Sequence, residues 1–164
     1  MAKPQIAAIV TTYFQNSHAD LIVSKFAEGF PSEDGLVTPD VNIVSMYMDQ
    51  LHNKDVGMQI ARDNDIEVFP SIRAALTLET GSEDHWPTAD DWQEGDLSVD
   101  GVILIGEHGD YPHNERDRRL YPRRNMFEQI CGVFSGSGKS VPVFNDKHLS
   151  YSWDDAVWMY NRAK

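Results

Sequence analysis

The side chains best suited to chemistry follow two apolar segments of the chain. Val99 to Ile105 leads into Glu107-His108, and Val141 to Phe144 leads into Asp146-Lys147-His148. If both segments are neighbouring strands of an open α/β sheet, their carboxyl ends meet at one edge, where the ligands of such sheets bind. Carboxylates, imidazoles and an ammonium group together suit general acid–base chemistry. The sequence therefore predicts one cleft lined by these five ionisable residues.

A third polar segment is the first strand-to-helix turn, Thr11 to Ser17, which contains no glycine. Ser17 and Asp20 have the S-x-x-D spacing of a capping box, so Ser17 is predicted to cap a helix. The free N–H groups at that helix start could instead receive a small anionic or polar ligand beside Asn16, Ser17 and His18. Dinucleotide folds use glycines at this turn to admit the pyrophosphate. A glycine-free turn therefore argues against the usual dinucleotide pose.

The histidines of the two candidate loops raise a second question. His108, His113 and His148 lie near several carboxylates in sequence, and imidazole with carboxylate suits either a divalent metal or proton transfer. No H-x-x-x-H or H-E-x-x-H pattern is present, and surface histidines are the alternative. We assign no metal ligands.

Composition limits the classes of function. The chain has 164 residues, one cysteine and a net charge of −12, so we expect a single domain over residues 1–164 with no intrachain disulfide. The acidic balance argues against nucleic-acid or anionic-membrane partners. No segment approaches the ~20 apolar residues of a membrane span, and we expect a soluble, cytoplasmic protein.

One basic patch opposes this acidic charge. Five of the eight arginines fall within nine residues, from Arg116 to Arg124. They either balance acidic neighbours on a solvated surface or bind an anionic ligand or a carboxylate partner.

Apolar periodicity predicts five buried strands, each followed by an amphipathic helix. This alternation predicts the α/β class: a doubly wound, mainly parallel Rossmann-like sheet with helices on both faces. Pro31 to Pro39 is interpreted as a turn-rich linker. The stretch at about 79–98 is an acidic insertion expected outside the sheet, either a partner-binding flap or a disordered excursion. The predicted strands are Gln5 to Thr11, Val41 to Met48, Ile66 to Phe69, Val99 to Ile105 and Val141 to Phe144.

Three segments carry a family resemblance. They are Val41-Asn-Ile-Val-Ser-Met-Tyr-Met-Asp49 continuing through Ile60 to Ile72, then Val99-Asp-Gly-Val-Ile-Leu-Ile105, and Gly138-Lys-Ser-Val-Pro-Val-Phe-Asn-Asp-Lys-His-Leu149 with the following Ser-Trp-Asp-Asp-Ala helix start. In this order, and over most of the chain, they resemble the amino-terminal Rossmann domain of the glucose-fructose oxidoreductase and inositol dehydrogenase family.

The resemblance implies site roles. Lys147 matches the family lysine that hydrogen-bonds the substrate hydroxyl losing hydride, with Asp146 in place of a glutamate and His148 in place of a proline. These three are the predicted catalytic residues, and Asp49 matches a ribose-binding acid. Together with the turn and loop residues above, the predicted cofactor-binding set is Asn16, Ser17, Asp49, Glu107 and His108.

Two functions remain open. The first is an oxidoreductase-like domain, a fragment or divergent relative of a sugar or polyol dehydrogenase; the resemblance implies NAD or NADP, which the glycine-free turn puts in doubt, and a carboxy-terminal domain beyond this chain. The second is a non-redox, lyase- or hydrolase-like domain whose Glu, His, Asp and Lys cluster holds a ligand or metal. The expected partner is a small polar or anionic ligand, with a homo-oligomer as an alternative to the missing domain.

Overall fold

The computed structural model describes residues 2–79 and 96–164. A five-stranded parallel sheet runs through the middle, in the order β5-β4-β1-β6-β7. Its strands are β1 (Gln5–Val10), β4 (Asn42–Met48), β5 (Glu67–Val68), β6 (Gly101–Ile105) and β7 (Val143–Asn145). The predicted doubly wound α/β fold is confirmed, as is the adjacency of the first, fourth and fifth predicted strands.

Helices cover both faces of this sheet. They are α1 (His18–Glu28), α2 (Gly57–Asp63), α3 (Ile72–Thr77), α4 (Arg123–Ser137) and α5 (Trp153–Arg162). Because successive side chains of a strand point to opposite faces of the sheet, β1 contributes to two hydrophobic cores. Ala7 and Ile9 pack with residues of α3, α4 and α5, whereas Ala8 and Val10 pack with residues of α1 and α2.

The interpretation of Pro31 to Pro39 as a linker is wrong. This stretch holds most of an antiparallel hairpin, β2 (Phe30–Ser32) and β3 (Gly35–Val37), which forms a separate two-stranded sheet. Gly35 has φ of 111°, and the Ser32 hydroxyl donates to its carbonyl oxygen at 2.9 Å. Three-residue strands with exposed side chains give too little apolar alternation to be recognised in a sequence.

Of the predicted acidic insertion at about 79–98, residues 80–95 lie outside the described ranges. Leu97 is 3% exposed and packs in the core, and the Ser98 amide donates to the Leu76 carbonyl oxygen at 3.0 Å. An isolated apolar residue beside acidic ones does not reveal such burial. Within the described ranges, no helix has the length and apolar character needed to cross a membrane.

Candidate functional site

The expected convergence at the carboxyl edge is confirmed. The chain leaves β6 at Ile105 and reaches Glu107 two residues later, and it leaves β7 at Asn145 directly into Asp146 and Lys147. Lys147 Nζ lies 3.6 Å from Glu107 Oε1. Parallel pairing of β6 with β7 brings the two loops together, because both strands end at the same edge.

Glu107 forms hydrogen bonds with several residues at this edge of the sheet. Its Oε2 accepts a hydrogen bond from Arg123 Nη2, and Thr11 Oγ1 donates to its backbone carbonyl oxygen at 2.5 Å. Arg123 is 1% exposed, its guanidinium lies 5.0 Å from the Tyr121 ring centroid, and its Nη1 is 3.3 Å from His148 Nε2. Glu107 therefore holds a buried cation on one oxygen and the Lys147 ammonium near the other.

His18 and Asp146 form the second pair. His18 is the first residue of α1, and its Nδ1 lies 2.6 Å from Asp146 Oδ2. The Asp146 amide donates to the Leu104 carbonyl oxygen at 2.9 Å, which fixes the carboxylate at the end of β6. Because a carboxylate only accepts, His18 Nδ1 is the donor of this hydrogen bond, and in the neutral imidazole Nε2 is the nitrogen without a proton.

His108 lies against this pair. Its ring centroid is 5.3 Å from that of His18 and 5.2 Å from that of Phe14. Its Nε2 is buried and has no hydrogen-bond partner among the described residues. Burial, with a smaller contribution from His18, lowers the pKa of His108, and burial together with Arg123 lowers the pKa of His148. Both imidazoles therefore favour the neutral form.

Three loops border the cluster, and each contains a non-glycine residue in the left-handed backbone conformation. Asn16 and His108 have φ of 66°, and Lys147 has φ of 60°. Such conformations cost on the order of 1 kcal/mol or more for residues with a side chain and concentrate at functional sites.

Two predicted cofactor-binding residues, Ser17 and Asn16, form hydrogen bonds within the first turn and the start of α1. The hydroxyl oxygen of Ser17 accepts from the amides of Phe14 and Asp20, both at 3.2 Å, so the capping interpretation is confirmed. The Asn16 amide donates to Asp20 Oδ2 at 2.7 Å, and its side chain is exposed. Neither side chain joins the Glu107 and Asp146 cluster through a hydrogen bond in the described part of the chain.

Asp49, at the end of β4, is also engaged. Its Oδ1 accepts from the Tyr47 hydroxyl at 2.8 Å, and its Oδ2 accepts from the Tyr111 hydroxyl at 2.6 Å. Burial, and then the hydrogen bond to Asp49, raise the pKa of each tyrosine above its usual value, so both hydroxyls remain donors. A ribose at Asp49 would have to displace these hydrogen bonds.

These residues do not fit a dinucleotide in the usual pose of this fold. The first turn carries Phe14 where glycine would admit a pyrophosphate, and its ring packs 4.4 Å from the His52 ring centroid and against His108. Asp49, which the resemblance matches to a ribose-binding acid, accepts hydrogen bonds from two tyrosine hydroxyls. The cofactor roles of the predicted set stay predictions.

In residues 2–79 and 96–164, no group of three or more His, Cys, Asp or Glu side chains is arranged to hold a metal ion. The carboxylates are instead turned toward a histidine, an arginine and a lysine.

Sequence reasoning missed three residues of this site, Phe14, Tyr111 and Arg123, and also missed the pairing of His18 with Asp146. Arg123 lies in the basic patch, and its place at the start of α4 was the available signal. Tyr111 and Phe14 lie on irregular loops, where side-chain direction depends on backbone turns that periodicity does not encode.

No protein-family model matches the chain, and a search of curated proteins gives no match either. The resemblance to the oxidoreductase family stays a prediction.

Proposed function

We propose that this protein binds a small anionic or polar metabolite at the carboxyl edge of the sheet and acts on it by non-redox acid–base chemistry, as lyases and hydrolases do. The observation that carries the proposal is the His18–Asp146 pair, hydrogen-bonded at 2.6 Å, beside His108 with its unpartnered Nε2. A carboxylate-bound imidazole with a basic second nitrogen is the arrangement that general-base catalysis uses.

The roles follow from the contacts. His18 Nε2 accepts a proton from the ligand or from a water molecule, and Asp146 stabilises the imidazolium that forms. Lys147 remains close to Glu107 and stabilises negative charge that develops on a ligand oxygen. His108, whose pKa is lowered by burial, is neutral near pH 7 and can exchange a proton with the ligand.

The oxidoreductase-like alternative rests on other observations. The strand order is that of a Rossmann-like sheet, and Lys147 lies among ionisable side chains at the carboxyl edge. For this alternative, a nicotinamide nucleotide would have to bind without a steric clash with Phe14. It would also have to replace the hydrogen bonds that Tyr47 and Tyr111 donate to Asp49. These requirements make it the second candidate.

The test follows proton transfer without assuming the product. A panel of small hydroxy acids, keto acids and their phosphate esters is incubated with the protein in D2O, and proton NMR records C–H exchange, elimination or hydrolysis. We expect turnover of at least one compound without added nucleotide. His18→Ala should slow it by about 100-fold or more, the range of general-base catalysis.

The matched control is His113→Ala, because His113 is exposed and its side chain forms no hydrogen bond or ion pair with the cluster in the described part of the chain. Activity that survives His18→Ala, activity that requires NAD or NADP, or no reaction across the panel would each reject the proposal.

A further inference from the structure

A cavity of about 480 Å³ adjoins the acid–base cluster. Arg123 and His148 belong to both, since Arg123 binds Glu107 on one side and lines the cavity on the other. Its wall is rich in hydrogen-bond donors: Arg118, Arg119, Arg123, His148, Ser150 and Tyr151. A cavity of this size accommodates a small metabolite rather than an isolated ion.

The charge of this wall opposes that of the molecule. Three guanidinium groups line one cavity in a chain whose net charge is −12. Glu107 offsets Arg123, whereas no described carboxylate lies within 4.0 Å of Arg118 or Arg119. Among the described residues, the cavity therefore presents about two positive charges without a carboxylate partner, close in magnitude to the −1.5 to −2 of a phosphate monoester near pH 7.

Arg123 offers a second, independent observation. It is the largest fully buried side chain in the described ranges, and its Nε is buried with no hydrogen-bond partner there. Buried donors are rarely left unpaired, because the lost hydration costs about 1–3 kcal/mol. Arg123, whose side chain lines this cavity, thus brings to it a donor, Nε, without a partner among the described residues.

The loop that carries the arginines is held by its own hydrogen bonds. Asn114 Oδ1 accepts from the amides of Arg116 and Arg118, both at 3.0 Å, and Arg119 Nη1 donates to the Gly109 carbonyl oxygen at 2.7 Å. Binding then requires less ordering of long side chains, which strengthens affinity.

We propose that this cavity binds the phosphate group of the ligand, so that the metabolite is a phosphate monoester whose carbon skeleton extends toward His18 and Lys147. The location of the reacting end rests on the proposed function; the phosphate site itself does not. Guanidinium groups form paired hydrogen bonds with phosphate oxygens, and the Ser150 and Tyr151 hydroxyls add neutral donors.

Calorimetry at low ionic strength tests the site with glycerol 3-phosphate as the probe. Glycerol serves as the uncharged analogue, and malonate serves as a dicarboxylate of similar charge. We expect glycerol 3-phosphate to bind with a Kd near or below about 1 mM, with malonate at least about tenfold weaker and glycerol not detected. Binding should weaken as salt is added, because screening acts on the exposed Arg118 and the half-buried Arg119.

Variants then assign the binding to this wall. Arg118→Gln and Arg119→Gln should each weaken glycerol 3-phosphate binding by about tenfold or more, the loss expected for one charge-assisted hydrogen bond. Arg116→Gln is the matched control, since Arg116 is on the same loop but does not line the cavity. It should change the Kd less than about twofold, within the spread of surface substitutions.

His18→Ala separates the two proposals. It should leave the affinity for glycerol 3-phosphate unchanged, even if it abolishes turnover. Absence of binding, an unchanged Kd in both Arg118→Gln and Arg119→Gln, or tighter binding of malonate overturns the phosphate site. Intact phosphate binding with no reaction of any compound in the panel would overturn the acid–base proposal alone.

Discussion

Arg123 unites the acid–base cluster and the neighbouring cavity, and its burial makes its partner energetically important. Glu107 is the described carboxylate that pairs with it, with 13% of the Glu107 side chain exposed. Removing one member of a buried ion pair leaves the other charge without compensation, which costs more than the pair itself contributes. The stability of the molecule should therefore depend strongly on a residue of its candidate site.

We expect Glu107→Gln to lower the free energy of unfolding by about 3 kcal/mol, because Arg123 stays buried with only a neutral acceptor. Urea unfolding at neutral pH measures the change. Glu128→Gln is the matched control: Glu128 is 57% exposed and lies 3.9 Å from Arg124, so its loss should cost about 0.5 kcal/mol or less. Equal effects of the two substitutions would contradict the buried pair.

His108 should make stability depend on pH. Its pKa is lowered in the folded state, chiefly by burial, whereas the unfolded value is about 6.5. The unfolded chain then binds more protons between these two pKa values, so this contribution to stability is complete above about pH 6.5 and is lost as pH falls toward the lowered pKa.

Urea unfolding at about pH 7.5, 6.5 and 5.5 should record this loss, and His108→Gln should reduce the slope. The slope does not vanish, because the pKa of His148 is lowered as well. The exposed His113, changed to Gln, should leave the slope intact. A steeper loss of stability in His108→Gln than in the wild type would contradict the assignment.

At the scale of elements, the sequence predicted which polar residues follow the carboxyl ends of the strands. It did not predict the conformation of the loops that contain them. Apolar runs located β6 and β7, and parallel topology then required Glu107 and Lys147 to meet. The loop between Gly106 and α4 was beyond this reasoning. Its path depends on the positive φ angles of His108, Gly109 and Asp117, and such local conformations leave no periodic signal.

Substitution of Gly106, just after β6, tests how closely this loop packs against Arg123. A Cβ there would lie 2.5 Å from Arg123 Cγ, whereas a Cβ at Gly132 in α4 would meet nothing within 4 Å. We expect Gly106→Ala to destabilise the fold by about 1–3 kcal/mol through overpacking. Gly132→Ala should instead stabilise it by about 0.5–1 kcal/mol, as alanine does within a helix. Thermal unfolding of both variants gives the comparison, and stabilisation by Gly106→Ala would contradict the packing.

For the whole molecule, alternation of strands and helices predicted a doubly wound sheet correctly, because buried parallel strands permit few other arrangements. The hairpin of β2 and β3 escaped prediction, since its exposed strands join neither core. The sheet alone does not decide the ligand, because one fold hosts many chemistries.

We therefore expect no nicotinamide-dependent turnover of polyols by this chain, and a Kd for NAD weaker than about 100 μM. Phe14 fills the first turn, and Asp49 is bound by two tyrosine hydroxyls. Spectrophotometry at 340 nm and calorimetry measure turnover and affinity. Phe14→Gly is an informative variant: tighter NAD binding there would identify the ring as the obstacle. Low-micromolar binding by the wild type would contradict the argument.

The edge strand β7 has only three residues; Val143 and Asn145 are half-buried and Phe144 is exposed. Asp146, Lys147 and His148 follow it directly, so fraying of this strand would disperse three of the five ionisable residues that follow β6 and β7. Occupancy of the site and docking of β7 are thus thermodynamically linked: a ligand that binds only the assembled edge stabilises that strand by mass action. Amide hydrogen exchange along β7 should slow in proportion to ligand concentration, while exchange in the central strand β1 changes little.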